Sequence, residues 1–170
     1  MNPRFEKFAV ETMSRMEDPG LLLVSAKKDG KSNVMTIGWG LVGILWSMPV
    51  FMVAVRPSRF SHEFIEETGE FTVNVPGDGM DDVVEHCGNV SGRKHDKFAE
   101  CKLSLLKGRK VQVPVIKECK IHYECQVTHK LEVVPSLVPA NVKKSLYPRG
   151  DYHTVYFGKI VAVYKHACSR

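Results

Sequence analysis

The sequence predicts a mainly β, α+β domain built on an antiparallel barrel or sandwich with a few short helices. Three observations lead there. Six or seven runs rich in β-branched and aromatic residues are separated by Gly, Pro and Asp-Gly signals. The helical patterns are few and short, and strands do not alternate with helices as they do in a doubly wound sheet.

Along the chain, Phe5, Phe8, Ala9, Thr12 or Met13 and Met16 recur at helical spacing, and Asp18-Pro19-Gly20 stops the pattern. An amphipathic helix over residues 4–16 follows. Residues 21–26 and 32–37 read as extended runs joined by Lys28-Asp29-Gly30-Lys31, a strong short-range hairpin signal. Residues 50–55 are continuously apolar between Met48-Pro49 and Arg56-Pro57-Ser58, which predicts a central strand buried on both faces. Residues 61–67 form a short helix with Ser61 as a capping residue and Gly69 as its stop. A strand over residues 71–75 and a second short helix over residues 80–86, capped by Asp78, come next.

Residues 87–94 lack a period and contain Gly88 and Gly92, so they read as a loop. Between residues 120 and 131 polar and apolar side chains alternate, as in a half-exposed strand. Residues 135–147 are irregular, and residues 154–164 form a long strand rich in aromatic and β-branched residues.

Composition removes several classes of function. With 170 residues, 44% of them hydrophobic, the chain fits one domain, because a chain this long buries about 70% of its unfolded surface. Its longest apolar runs fall far short of the roughly 20 residues of a membrane-spanning helix. Charges run through the N-terminus, unlike a signal peptide, which reads as a cytoplasmic location. Five cysteines, none in a C-x-x-C pair, read as reduced thiols and announce no metal site. The net charge of +5 suits an anionic ligand. Lys and Arg do not form a stripe interleaved with aromatics, so nucleic acid is disfavoured as a partner.

Three stretches carry chemistry. In Asn33-Val34-Met35-Thr36-Ile37-Gly38-Trp39-Gly40, two glycines break a strand, marking a barrel corner or the close approach of a ligand to the backbone. Val55-Arg56-Pro57-Ser58-Arg59-Phe60-Ser61-His62 leads from a strand into a helix N-terminus, where N–H groups, two Arg and two Ser suit a phosphate monoester. Cys87-Gly88-Asn89, Ser91-Gly92-Arg93 and Asp96-Lys97-Phe98 offer donors for a polar ring edge or a phosphate, or form a plain surface loop. No G-x-G-x-x-G after a strand, P-loop, H-E-x-x-H or G-x-S-x-G occurs.

Taken in order, Pro19-Gly20-Leu21, residues 29–36, Trp39, Pro49, residues 56–61, residues 69–75, Cys87-Gly88, Ser91-Gly92-Arg93 and Asp96-Lys97-Phe98 resemble the flavin reductase-like family, in its flavoredoxin-like and archaeal ferric reductase-like branch. The likeness runs from about residue 19 to 163. It implies an FMN-binding split β-barrel and a homodimer. It also implies an oxidoreductase passing electrons from NAD(P)H or a protein donor to a flavin, a ferric complex or a protein acceptor. By this resemblance Ser58, Arg59, Ser61 and His62, beside Val55 and Arg56, hold the ribityl phosphate. Backbone groups around Asn33, Val34, Met35 and Thr36 meet the isoalloxazine, and Lys97 with the Ser91-Gly92-Arg93 loop closes over the cofactor.

Trp39 and His153 stand as catalytic candidates: Trp39 to stack on the flavin or gate the substrate, His153 because the likeness puts it near the active site. Core packing is the commoner role for such a Trp, and a solvated turn accounts equally for His153. Cys87 has a redox reading, though a buried thiol is the more frequent case. A non-catalytic flavin- or haem-binding module on the same barrel is the second functional reading. Residues 134–150 are where substrate or partner specificity is expected, since long irregular loops are usually functional.

Overall fold

The computed structural model describes residues 4–165. Cys168 therefore lies outside the described residues. A seven-stranded antiparallel sheet is built from β1 (Leu21–Ala26), β2 (Ser32–Ile37), β3 (Gly40–Leu45), β4 (Met48–Val55), β5 (Glu70–Val75), β8 (Ile121–Glu132) and β9 (Thr154–Lys165). The spatial order is β2-β1-β5-β8-β9-β4-β3. A separate two-stranded ribbon joins β6 (Leu105–Leu106) to β7 (Val115–Ile116).

The sheet curls. β8 and β9 are 12 residues each, pair along their length and carry two register irregularities, at Glu124/Cys125 and Val127/His129. Bulges of this kind bend strands and raise twist. The curl brings β2 back beside β4, although four strands lie between them in the sheet order.

Two apolar clusters hold the sheet. Leu21, Leu23, Phe51, Val53, Phe71, Val73, Tyr123 and Tyr156 fill the inside of the curl. Helix α1 (Glu6–Glu17) closes it with Phe8, Thr12 and Met16, spaced four apart on one face, and the Thr12 and Tyr123 hydroxyls bond at 2.8 Å. Leu22, Val24, Val34, Val84, Cys87 and Ile116 form the second cluster, under α3 (Asp81–Asn89). Burial on both faces falls on β1, whose alternate residues serve the two cores, and on most of β5. Residues 50–55, expected to be buried on both sides, instead alternate buried and half-buried, because the outer face of β4 has no layer over it.

The hairpin at Asp29-Gly30 forms as the sequence indicates, with Gly30 at φ 90° and β1 antiparallel to β2. Gly69 ends α2 (Phe60–Thr68) in the left-handed conformation at φ 66°. Other expectations change. β3 was not anticipated. It joins β4 through Trp46 and Ser47, both at positive φ, a mirror-type hairpin turn without its usual Asn-Gly signature. Ser61 is inside α2 rather than at its cap, which is Arg59. Asp78 caps nothing and pairs with Lys120 at 2.7 Å. Residues 135–147, read as irregular, hold a 3-10 turn (Pro135–Leu137) and a short helix (Ala140–Leu146).

Candidate functional site

Where β2 returns beside the β4–α2 junction, two adjoining cavities open. The first, about 140 Å³, is lined by Asn33, Met35, Thr36, Ser58, Arg59, Phe60, Ser61, Cys87, Gly88, Val90, Ser91, Gly92 and Lys97. The second, about 220 Å³, is lined by Met35 to Trp39, Ala54, Arg56, Arg59 and His153. Met35, Thr36 and Arg59 belong to both, so the pair reads as one bent groove with a polar end and an aromatic end.

At the polar end, α2 points its N-terminus into the cavity. The Phe60 and Ser61 N–H groups of its first turn have no carbonyl one turn back to bond, whereas that of His62 donates to the Arg59 carbonyl at 3.0 Å, and the helix dipole adds partial positive charge. Ser61 is fully buried there, and its Oγ accepts a 2.8 Å hydrogen bond from Asn33 Nδ2. Gly92 presses against that Asn33: a Cβ at residue 92 would overlap the carboxamide, so the loop fits only with glycine. Gly88 sits against Thr36, a tight contact of 3.3 Å for a hypothetical Cβ rather than an overlap, which lets α3 lie on β2.

Lys97 is the notable group. Only 4% exposed, its ammonium donates to the carbonyl oxygens of Cys87 at 3.0 Å and Val90 at 3.4 Å. Among the described residues no carboxylate pairs with it. Burial pulls its pKa below the usual lysine value, and the Arg59 charge adds to that. A buried cation with carbonyl partners alone is a poorly neutralised charge, and an anion in the cavity would neutralise it. Lys97, Asn33, Ser61, Arg59 and the α2 N-terminus are a donor set that fits a phosphate monoester.

The aromatic end is different in kind. Trp39, expected in the core, is 44% exposed and packs against the His153 ring at 4.9 Å between centroids. His153 is not a solvated turn residue: it is buried at 7% exposure, with Nδ1 2.7 Å from the Tyr147 hydroxyl. Burial, with Arg56 and Arg59 nearby and Asp151 opposing them, pushes its pKa down to about 4. It is neutral at physiological pH.

The structure gathers most, not all, of the sequence-predicted site residues. Asn33, Met35, Thr36, Ser58, Arg59, Ser61, Cys87, Gly88, Ser91, Gly92 and Lys97 meet at the polar end, and Arg56, Trp39 and His153 at the aromatic end. Val34 and Val55 are fully buried in the two apolar cores, since alternate strand residues face away from the groove. His62 turns away as well, its Nε2 3.1 Å from Thr154 Oγ1 and its ring beside Tyr156.

Arg93 reaches across to the Ser58 carbonyl and the Glu63 carboxylate, bracing the loop rather than lining the cavity. Cys87 and Gly88 belong to the last turn of α3, not to a loop, because the helix runs on to Asn89 before Ser91 turns the chain. The Cys87 thiol is pushed up to about 12 by burial and by Cys101 beside it, so it is protonated at neutral pH. Gly40, where a ligand approach was one reading, is crowded by the Met52 carbonyl and the Met16 side chain. Tyr147, missed from the sequence, left one faint signal: it pairs with Tyr152 across a Pro148-Arg149-Gly150 turn. Among the described residues no cluster of three or more His, Cys, Asp or Glu is placed to hold a metal ion.

Residues 13–169 match the model of the flavin reductase like domain, and the chain belongs to the flavin reductase-like family. An uncharacterized protein of Archaeoglobus fulgidus is 36% identical over 133 residues, covering 78% of this chain and 65% of that protein, so the chain spans a little under two thirds of that relative. The flavoredoxin of Methanosarcina acetivorans superposes with TM-score 0.68 at 31% identity, over 87% of this chain and 69% of that one. An FMN-binding protein from Thermus thermophilus superposes with TM-score 0.67 at 21% identity, over 88% and 73%. The curled, incompletely closed antiparallel sheet is the split barrel of this family. Among the described residues no helix is long and apolar enough to cross a membrane.

Proposed function

We propose that this chain is an FMN-binding oxidoreductase of the cytoplasm that carries electrons from NAD(P)H or a protein donor to a flavin, a ferric complex or a protein acceptor. One observation carries the cofactor assignment: a buried Lys97 without a carboxylate, beside Ser61, Asn33 and a helix N-terminus, in a cavity that adjoins an aromatic one. Family membership and the FMN-binding protein of the same fold support the same reading.

In this account Lys97, Arg59, Ser61 and the α2 N–H groups bind the phosphate, while the β2 segment at Met35 and Thr36 borders the ring. Bound there, the isoalloxazine supplies hydride and electron transfer, which the protein alone lacks. Arg56 and Arg59 bias the site toward anions, and Trp39 with His153 shapes the face that an electron donor or acceptor meets.

A second copy of the chain fits the reading as well. Edge strand β3 exposes Leu41 at 60% and Ile44 at 65%, and Val10 of α1 and Trp46 are exposed too, an apolar surface of the kind a homodimer covers.

The test is the visible spectrum of the protein after incubation with FMN and gel filtration, then anaerobic addition of NADH and NADPH separately. Retained flavin bands that bleach with either nucleotide support the reductase. Bands that bleach only with dithionite point to a carrier fed by another protein, or to a flavin-binding module without catalysis. A colourless protein ends the assignment.

A further inference from the structure

The segment between β8 and β9 holds no catalytic motif, yet it is fastened to the mouth of the aromatic cavity at several points. Arg56 donates from Nη1 to the Asp151 carbonyl at 2.9 Å and from Nη2 to the Leu146 carbonyl at 2.7 Å. Its guanidinium also lies 4.8 Å from the centre of the Tyr147 ring. Tyr147 stacks on Tyr152 at 4.6 Å and 20°, and Ser58 donates to the Asp151 carboxylate at 2.6 Å. These contacts hold the Tyr147 hydroxyl 2.7 Å from His153 Nδ1.

A neutral imidazole carries one proton, and the partner of one nitrogen decides which nitrogen keeps it. His153 is buried, and among the charged groups around it Arg56 and Arg59 outweigh Asp151, so the ring stays neutral. A cation over the face of Tyr147 draws electron density from its phenol oxygen, which makes the hydroxyl a better donor and a poorer acceptor. Tyr147 O–H donating to Nδ1 leaves the proton of His153 on Nε2, and the ring lines the cavity beside Trp39.

We propose that Tyr147 is a positioning residue that fixes His153 as an Nε2-protonated, neutral hydrogen-bond donor for a planar, anionic substrate bearing an acceptor oxygen. Trp39 stacks on the substrate and Arg56 and Arg59 complement its charge. The substrate part rests on the reading of the groove as a flavin site, whereas the state of His153 belongs to the polypeptide alone.

Long-range ¹H–¹⁵N spectra of the flavin-free protein at pH 7 test the first part. The expected His153 pattern is the Nε2–H form in the wild type and a mixture of both tautomers in Tyr147→Phe, which keeps the stacking and loses the hydroxyl. An Nδ1–H form in the wild type, or an unchanged pattern in Tyr147→Phe, overturns the proposal. Titration of the FMN-loaded protein with 4-formylbenzoate, followed through the Trp39 and His153 signals, tests the second. Binding weakened in Tyr147→Phe in proportion to the Nε2–H form lost, about twofold for an even tautomer mixture, is expected; equal binding, or none in the wild type, overturns the substrate class. FMN titrated into the flavin-free samples reads the flavin assignment separately: if FMN fails to bind, that assignment falls, while the tautomer result still decides the role of Tyr147.

Discussion

The two ends of the groove are built on opposite plans. The polar end is closed around a buried lysine, a buried serine and two closely packed glycines. The aromatic end is more open, walled by an exposed Trp39 and by side chains that depend on the 134–153 segment for their positions. The difference separates two tasks. A rigid, cationic end suits holding a phosphate for long periods; an open, aromatic end suits partners that come and go.

Breaking the polar end should give the largest effect. Lys97→Gln removes the buried charge, and FMN affinity is expected to fall about 10- to 100-fold, the range for a charged hydrogen bond, as read by quenching of flavin fluorescence. Gly92→Ala comes next. The added methyl has to displace Asn33 from Ser61, an overpacking that costs about 1–3 kcal/mol in denaturant unfolding and weakens FMN binding with it. At the aromatic end, Trp39→Ala should leave stability and FMN affinity within about twofold, because so exposed a ring contributes little burial. It should raise KM for the electron donor or acceptor, which separates the two ends functionally.

A pH-dependent effect is expected on acid stability. The folded pKa of His153, about 4, lies below the ordinary histidine value. Between the two values the unfolded chain binds more protons than the folded one, so stability should fall as pH drops from about 6.5 toward 4 and then level off. His153→Gln should flatten that part of the pH profile in thermal melts.

The contrast also explains what could be read from the sequence. The polar end comes from short stretches, residues 33–36, 58–61 and 87–97, whose glycines, serines and basic residues stand close together in the chain, and most of them meet where the pattern indicates. The side chains of His62, Val34 and Val55 face away from the groove, because a local motif does not say which face of a strand or helix a residue takes. At the aromatic end Arg56, Trp39, Tyr147 and His153 are brought together from widely separated parts of the chain. Nothing local marks such a cluster, and the general preference of Trp for cores pointed the wrong way. β3 escaped for a similar reason: two glycines and a turn of Trp46 and Ser47 hide its strand pattern.

The central claim is that the Lys97 cavity is the phosphate end of a flavin site. Its most direct test is the affinity of the flavin-free protein for FMN against riboflavin, which differ only in the phosphate, measured in the wild type and in Lys97→Gln. The account predicts much tighter binding of FMN by the wild type and a difference largely erased by the substitution. Equal affinities for the two flavins in the wild type, or a preference for FMN untouched by Lys97→Gln, would contradict it.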